Sequence, residues 1–334
     1  MQVYESLKEY VKGAEGSVAT IGNFDGVHRG HQAIIRRARS LASGEGMRLV
    51  GMTFEPAPVK VLCPEKAVRR LSPLEQKVAL LAAEGLDDLV VVQSEAAFFS
   101  QSAESFAEEV LVGRLGARHV VEGASFCFGR GRSGTVSRLG RLGAGLGFSV
   151  HTVGAERVDL GGAEPVVVSS TLIRALVEGG DLEGARRCLG RYYGLAGRVG
   201  SGRGVGRQLG FPTANLELYN PDQLAPRDGV YAGWATLAND SRSFYECGAQ
   251  RYWAAIVIGR SKTFVDGGWQ IEAHLLDYSG GEDLRGKHIL LSLAARLRGQ
   301  QKFGDRRMLS DAIAADCRRV RGILAAAEAG SGSL

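Results

Sequence analysis

Hydrophobic positions in the first half of the chain follow two alternating patterns. Short apolar runs predict buried strands, and between them apolar residues recur every three or four positions, as on one face of a helix. We predict strands at 17–22, 48–54, 88–93, 118–123 and 148–153. We predict helices at about 29–43, 73–84 and 102–115. Alternating strands and helices are typical of a parallel sheet with helices on its faces, so this half is predicted to be an α/β domain.

The pattern changes near residue 190. The glycine-rich stretch "LGRYYGLAGRVGSGRGVGRQLGFPTANL" is followed by strand-like runs, and helical periodicity returns only at about 306–327. We predict strands at 229–237, 252–259, 269–277 and 287–293. A small antiparallel β-barrel with a terminal helix fits this pattern, because closure removes exposed strand edges. The last residues, "AGSGSL" at 329–334, are predicted to form a disordered tail.

Composition narrows the range of functions. The chain has 334 residues, enough for two domains, and a formal net charge of +5 that suits anionic ligands such as nucleotides. Aromatic residues make up only 7%, without a basic-aromatic ribbon, so we expect no nucleic acid partner. The five cysteines show no CxxC spacing, and no apolar leader or membrane-length apolar run occurs. We therefore expect a cytoplasmic protein with no membrane partner. The sequence does not determine whether the chain forms an oligomer.

The first candidate site is the turn "IGNFDGVHRGH" at 21–31, where a predicted strand gives way to a helix. An anion bound there would meet unused backbone N–H groups and the positive end of the helix dipole. His28 and His31 flank Gly30, whose missing side chain lets a ligand approach the backbone. We expect phosphate binding; a metal site would need a third ligand, and none is evident nearby. The other residues predicted to bind nucleotide or phosphate in this turn are Gly22, Asn23, Phe24 and Asp25.

A second segment, "VSSTLIR" at 168–174, combines hydroxyl groups with an arginine one turn into a predicted helix. A helix N-cap followed by an arginine can hold an anion, although by itself it is more often a cap beside a surface arginine. Because it accompanies the first turn, we predict phosphate binding by Ser169, Ser170, Thr171 and Arg174.

Two further segments lie in the second half. In "GVGRQLGFPTANL" at 204–216, Gly206 and Arg207 suit a loop over phosphates, and the alternative is a plain hairpin turn. Thr213 and Asn215 offer the oxygen ligands that Mg²⁺ takes beside substrate phosphates. In "IEAHLLD", Glu272 lies on the polar side of an alternating strand. It could act as a general base for a hydroxyl group, or simply face solvent.

In this order, the segments resemble the bacterial bifunctional riboflavin kinase/FAD synthetase family from about residue 17 to about 322. The first turn resembles the HxGH signature of nucleotidylyltransferases, which implies a Rossmann-like domain. The resemblance implies an FMN adenylyltransferase domain at 1–187 and a riboflavin kinase domain at 188–328. The second would phosphorylate riboflavin with ATP to give FMN. The first would join the AMP part of another ATP to FMN, releasing pyrophosphate and giving FAD.

The same resemblance implies roles for individual residues. His28 and His31 would serve adenylyl transfer, and Glu272 would be the base of the kinase step. Thr213 and Asn215 would bind Mg²⁺. The residues assigned to flavin binding are Ser125, Phe126 and Arg298.

The chain departs from the family's usual residues at five positions, and any effect is expected on flavin affinity or the adenylylation rate. These positions are Ala57, Ser125, Val257, Lys262 and Gln300. Two alternatives to the bifunctional enzyme follow: a protein that keeps one of the two activities, and a flavin-binding regulatory protein without turnover.

Overall fold

The computed structural model describes residues 1–202, 205–246, 249–260, 269–278 and 283–331. The chain forms two compact units that are not consecutive in sequence. Unit 1 comprises Met1–Val68 and Leu80–Ser169, and unit 2 comprises Arg69–Ala79 and the chain from Ser170 onward. These units are defined by packing contacts. The domain boundary at 187 instead separates the regions assigned to the two reactions, and it stays a prediction.

Unit 1 is built on a parallel sheet, which confirms the predicted α/β class. Its strands are β1 (Gln2–Tyr4), β2 (Ser17–Ile21), β3 (Arg48–Glu55), β4 (Asp88–Gln93), β5 (Ala117–Gly123) and, after two short strands given below, β8 (Ser149–Val153). In the described residues the order is β1-β4-β3-β2-β5-β8, and every pairing is parallel. The order reverses at β2, since β3 and β5 lie on its two sides. Ligands of such sheets bind beyond the carboxyl ends of the strands at this reversal point.

Helices and two short hairpins complete the first half of the chain. The predicted helices are confirmed, although the third is largely a π-helix, Phe106–Arg114. A helix after residue 135 was not predicted, because its glycine-rich sequence obscures the periodicity. The helices are α1 (Arg29–Glu45), α2 (Pro58–Leu62), α3 (Leu74–Ala83), α4 (Ala96–Phe99), α5 (Ala103–Ser105) and α6 (Val136–Leu146). The hairpin strands are β6 (Cys127–Phe128), β7 (Gly134–Thr135), β9 (Arg157–Val158) and β10 (Val166–Val167).

Unit 2 contains a closed antiparallel barrel, as predicted. Its strands are β11 (Tyr193–Gly200), β12 (Ala214–Leu218), β13 (Gly229–Ala238), β14 (Gln250–Arg260), β15 (Trp269–Leu275) and β16 (His288–Arg298). In the described part of the chain the barrel order is β11-β12-β15-β14-β13-β16. Its helices are α7 (Ser170–Gly179), α8 (Leu182–Leu189), the short α9 (Val205–Gln208) and α10 (Arg306–Ser331).

The terminal helix α10 packs on the barrel through Val320 and Leu324, which lie in one buried cluster with Trp234. The helix extends to Ser331, so residues 329–331 of the predicted disordered tail are helical, and residues 332–334 lie outside the described residues. Cys247 and Lys262 also lie outside them.

Candidate functional site

The turn between β2 and α1 has a strained backbone. Phe24 and Val27 adopt positive φ angles of 46° and 38°, a backbone region that residues other than glycine rarely occupy. Hydrogen bonds hold this conformation: the Val27 N–H donates to the Phe24 carbonyl oxygen at 3.1 Å. The side-chain amide of Gln32, in α1, donates to the Val27 carbonyl oxygen at 2.9 Å. Strain that is kept in place by surrounding bonds is typical of ligand sites.

The two predicted histidines lie together at the start of α1. His28 is the N-cap, and its Nδ1 accepts a hydrogen bond from the His31 N–H at 3.4 Å. Their rings stack with centroids 3.7 Å apart. A Cβ atom on Gly30 would lie 3.1 Å from the His28 ring, so a larger residue would crowd the imidazole. The turn therefore combines two imidazoles with a helix N-terminus, which suits a phosphate group.

A buried carboxyl group, which sequence analysis did not single out, fixes the end of β2. Glu122 is 2% exposed and accepts a hydrogen bond from the Ile21 N–H at 2.6 Å. Backbone pairing between β2 and β5 stops at Ala19 and Val120, so this side chain takes over where the pairing ends. Burial raises the pKa of Glu122 well above its usual value, and the bond from Ile21 opposes that shift. Burial thus favours the protonated form of this carboxyl group.

The segment at 168–174 crosses from one unit to the other. Ser169 is the last residue of unit 1, and α7 begins unit 2 with Ser170. In unit 2, the Nε of Arg174 donates to the carbonyl oxygen of Arg69 at 2.7 Å. Among the residues predicted for adenylyl transfer, His28 therefore belongs to unit 1, whereas Thr171 and Arg174 belong to unit 2.

Unit 2 contains a cavity of about 480 Å³ beside the glycine-rich loop. Its lining includes Gly202, Arg207, Thr213 and Asn215. A Cβ atom on Gly202 would lie 1.9 Å from Nδ2 of Asn215, so only glycine lets this amide pack against the loop. The exposed Arg207 on α9 supplies positive charge beside this space. Arg207 of the predicted phosphate loop and the predicted metal ligands Thr213 and Asn215 therefore line one cavity.

Strand pairing brings Glu272 to the same group of residues. Asn215 in β12 lies opposite Glu272 in β15, and the Thr213 hydroxyl donates to Oε2 of Glu272 at 3.4 Å. The predicted alternation of β15 is confirmed, with Ile271 and Ala273 buried and Glu272 partly exposed. A hydroxyl group just before β12, an amide on β12 and a carboxylate on β15 thus come together.

An ion pair borders this cavity. Arg285 pairs with Asp283, and both residues line the cavity. The hydrogen bonds from Arg285 lower the pKa of Asp283 to about 2, with a smaller effect of the Arg207 charge. Asp283 is therefore ionised at neutral pH.

The residues predicted to bind flavin lie in both units. In unit 1, Ser125 is exposed, and the Phe126 ring stacks on Phe128 with centroids 5.6 Å apart. In unit 2, Arg298 forms an ion pair with the buried Asp316, with a shortest N···O distance of 2.7 Å. Their contact with flavin stays a prediction.

The structure describes the surroundings of three departures from the family pattern at Gln300, Val257 and Ala57. Gln300 stands where the resemblance implies a glutamate, and its side-chain amide donates to the Ile258 carbonyl oxygen at 2.9 Å, a bond that an ionised glutamate could not donate. Val257 in β14 lies opposite Glu272. Ala57 is the N-cap of α2 and makes no capping bond.

The donor set of unit 2 suits Mg²⁺ that arrives with a nucleotide. No group of three or more His, Cys, Asp and Glu side chains is placed to hold a metal ion within the described ranges. Thr213 and Asn215 instead provide neutral oxygen atoms, and Mg²⁺ commonly completes such a set with phosphate oxygens and water.

The fold and these residues define a class of protein, a two-unit transferase that acts on nucleotides. The sequence profile of the FAD synthetase family matches residues 11–171, and that of riboflavin kinase matches residues 189–324. The bifunctional riboflavin kinase/FMN adenylyltransferase of Pseudomonas fluorescens is 36% identical over 327 residues, covering 97% of this chain and 98% of that protein. Its counterpart in Escherichia coli K12 is 34% identical, covering 90% and 91%. The chain belongs to the family of bifunctional riboflavin kinase/FMN adenylyltransferases.

A solved structure shares the whole fold. The crystal structure of a macrolide-efflux protein from Streptococcus pneumoniae is 26% identical to this chain, with a TM-score of 0.78. The match covers 96% of this chain and 98% of that one. In the part of this chain that the structure describes, no helix has the length and apolar character needed to span a bilayer.

Because Glu122 is buried, we expect the free energy of unfolding of the chain to depend on pH. Because its pKa is raised in the folded state, the folded chain binds more protons than the unfolded chain as the pH rises above the usual value of 4.5. The free energy of unfolding of the parent should therefore fall relative to that of Glu122→Gln, by up to about 1.4 kcal/mol per pH unit in this window. Urea unfolding of the full chain between pH 5 and 8 measures the difference.

The matched control is Glu15→Gln, which changes an exposed glutamate of the same unit. Its difference from the parent should stay constant over this pH range. A constant difference for Glu122→Gln as well would show that Glu122 is ionised in the folded chain.

Proposed function

We propose that this chain makes FAD from riboflavin in two ATP-dependent steps. The kinase step transfers the γ-phosphate of ATP to the riboflavin 5′-hydroxyl and gives FMN. The adenylyltransferase step joins the AMP part of a second ATP to FMN, gives FAD and releases pyrophosphate. The observation that carries the proposal is that one chain holds both the HxGH turn and the Thr213–Asn215–Glu272 group, each within a matched family region. The proposed domains are 1–187 for adenylylation and 188–328 for the kinase.

In the adenylyltransferase step, the chain's task is to stabilise negative charge on the α-phosphate. His28 and His31 lie at the N-terminus of α1, where their imidazoles and the helix dipole favour an anion. The FMN phosphate attacks the α-phosphorus and pyrophosphate leaves, so no covalent enzyme intermediate is needed. Donors fixed in advance stabilise the transition state without reorganising, which lowers the barrier. Arg174, with the hydroxyl groups at 169–171, is proposed to hold the phosphates.

In the kinase step, Glu272 is proposed to accept the proton of the riboflavin hydroxyl. The resulting oxygen nucleophile attacks the γ-phosphorus in line, and ADP leaves. The Thr213 hydroxyl, which donates to Glu272, helps to orient this carboxylate. Thr213 and Asn215 would hold Mg²⁺, which when bound neutralises charge on the phosphates. Arg207 is placed to add positive charge in the same cavity.

The proposed partners are small molecules: riboflavin, FMN and ATP. From the sequence we also propose a cytoplasmic location and no nucleic acid or membrane partner. One assay tests the function against its alternatives. Purified protein is incubated with riboflavin, ATP and Mg²⁺, and the flavins are separated by chromatography. FAD supports both activities, FMN alone leaves only the kinase, and unchanged riboflavin indicates a binding protein without turnover.

Replacing His28 tests the adenylyltransferase assignment. We expect His28→Ala to slow FAD formation from FMN by a factor of about 100 or more, the effect of losing one charge-stabilising donor. The control is His119→Ala, which removes a histidine of the same unit that bonds to Glu45 and His151 instead. FAD formation at the parent rate in His28→Ala would contradict the assignment.

Replacing Asn215 tests the Mg²⁺ assignment. Asn215→Ala removes an oxygen donor from the cavity, so the kinase step should need a higher Mg²⁺ concentration. A Mg²⁺ titration of FMN formation measures this shift, with the exposed Asn239→Ala as the control. Superimposable titrations of Asn215→Ala and the parent would remove Asn215 from the metal site.

Replacing Glu272 tests the general base. Glu272→Gln keeps the size of the side chain and removes its basicity, so FMN formation should slow by roughly 10²–10⁴-fold. Supplied with FMN, the variant should form FAD near the parent rate, because Glu272 lies on the partly exposed side of β15. Equal loss of both activities would make Glu272 structural. An unaffected kinase step would make the neighbouring His274 the next candidate for the base.

A further inference from the structure

A segment from the first half of the chain is bound into unit 2. Arg69–Ala79 lies between β3 and β4 in sequence but packs in unit 2. Arg70 forms a parallel bridge with Gln223, its N–H donates to the Asp222 carbonyl oxygen at 3.0 Å, and its carbonyl oxygen accepts from the Leu224 N–H at 2.8 Å. Backbone pairing thus attaches this segment to the chain just before β13.

The buried side chain of Gln223 joins that attachment to the barrel. Its residue is 1% exposed, and its Nε2 lies 2.9 Å from the Gly194 carbonyl oxygen and 3.2 Å from that of Leu71. The same nitrogen lies 3.1 Å from Oε1 of Gln76, and Oε1 of Gln223 accepts from the Ala196 N–H at 3.2 Å. Gly194 and Ala196 are in β11, whereas Leu71 and Gln76 are in the segment. A buried amide that is hydrogen-bonded to both elements holds the segment in a fixed position against β11.

The hydroxyl group of Tyr193 donates chiefly to the Leu224 carbonyl oxygen and also lies within hydrogen-bond distance of the Leu71 carbonyl oxygen. Tyr193 is 2% exposed, and its oxygen lies 2.6 Å from the Leu224 carbonyl oxygen and 3.2 Å from that of Leu71. Two buried side chains of the barrel region therefore reach the Leu71 carbonyl oxygen.

The same segment contacts Arg174. The Arg69 carbonyl oxygen accepts from Nε of Arg174 at 2.7 Å, and Arg69 precedes the fixed residues Arg70 and Leu71 directly. Only four rotatable backbone bonds separate Cα of Arg69 from Cα of Leu71, two for each residue step. A segment held at Arg70 and Leu71 therefore also holds the carbonyl group that orients the Arg174 guanidinium.

We propose that Gln223 and Tyr193 are positioning residues for Arg174 in the adenylyltransferase reaction. They act through the backbone carbonyl groups of 69–71 and are not proposed to touch the nucleotide. This inference rests on the proposed role of Arg174 in holding phosphate. Its consequence is that adenylylation depends on side chains of the region matched to riboflavin kinase, although not on the chemistry of the kinase.

The test uses the full chain with Tyr193→Phe, which removes one hydroxyl group, and Gln223→Met, which removes the amide at similar size. FAD formation from supplied FMN should fall by about 10-fold or more, because small displacements of a positioning group are costly. FMN formation from riboflavin should stay within about 2-fold of the parent rate. The matched control is Tyr219→Phe, whose hydroxyl bonds to His288 within the barrel; both activities should be unchanged.

The same variants are then combined with Arg174→Ala. If Gln223 and Tyr193 act through Arg174, they should cause no further loss of FAD formation in that background. Multiplying losses, equal losses of both activities, or parent-like FAD formation in both single variants would each overturn the inference. A parent that forms no FAD would instead refute the proposed function, and a fully active Arg174→Ala would refute the role of Arg174 on which the inference rests.

Discussion

A bound phosphate group needs hydrogen-bond donors and positive charge held at fixed positions, and this chain places its candidate phosphate-binding turns where buried strands stop. All five residues of β2 are buried, and the strained turn to α1 follows directly. In unit 2, β11 ends at Gly200, which lines the cavity at the start of the glycine-rich loop. A buried strand cannot shift to relieve the loop that follows it. Each site therefore depends on the rigidity of the strand before it.

The sequence predicts the elements whose apolar residues follow a regular period. The run "DLVVVQ" was predicted as a strand at 88–93 and forms β4 over the same residues. By contrast, β11 and β12 were not predicted, since glycines and turn residues leave their apolar positions without a clear period. The assignment of 69–79 to unit 2 was also out of reach. It depends on Gln223, a polar residue 152 positions from Leu71, and no local pattern indicates such a partner.

The candidate sites divide in the same way. His28, Gly30 and His31 could be found because a ligand-binding turn needs particular residues at short spacing. The closeness of Glu272 to Thr213 follows from the pairing of β12 with β15, across 59 residues of sequence, and only the structure gives that register. Glu122 escaped notice because one glutamate after two valines resembles the polar end of a strand. Its importance depends on its burial and on the hydrogen bond that it accepts from the Ile21 N–H, and the local sequence indicates neither.

The residues assigned to the two activities occupy separate parts of the sequence, whereas the packing contacts that support them do not. The residues assigned to adenylylation precede those assigned to the kinase, which alone would allow the chain to be cut near 188. The packing argues otherwise, because Arg174 and the carbonyl group it bonds both belong to unit 2. A cut there would separate the Leu71 carbonyl oxygen from Gln223 and Tyr193, the buried groups that hold it. Replacing Glu272 on the partly exposed side of β15 removes the proposed base. Replacing Gln223 or Tyr193 instead removes buried hydrogen bonds that hold the backbone of 69–71. The two activities can therefore be independent in chemistry while one depends on the fold of the other, which gives a physical reason for their sharing one chain.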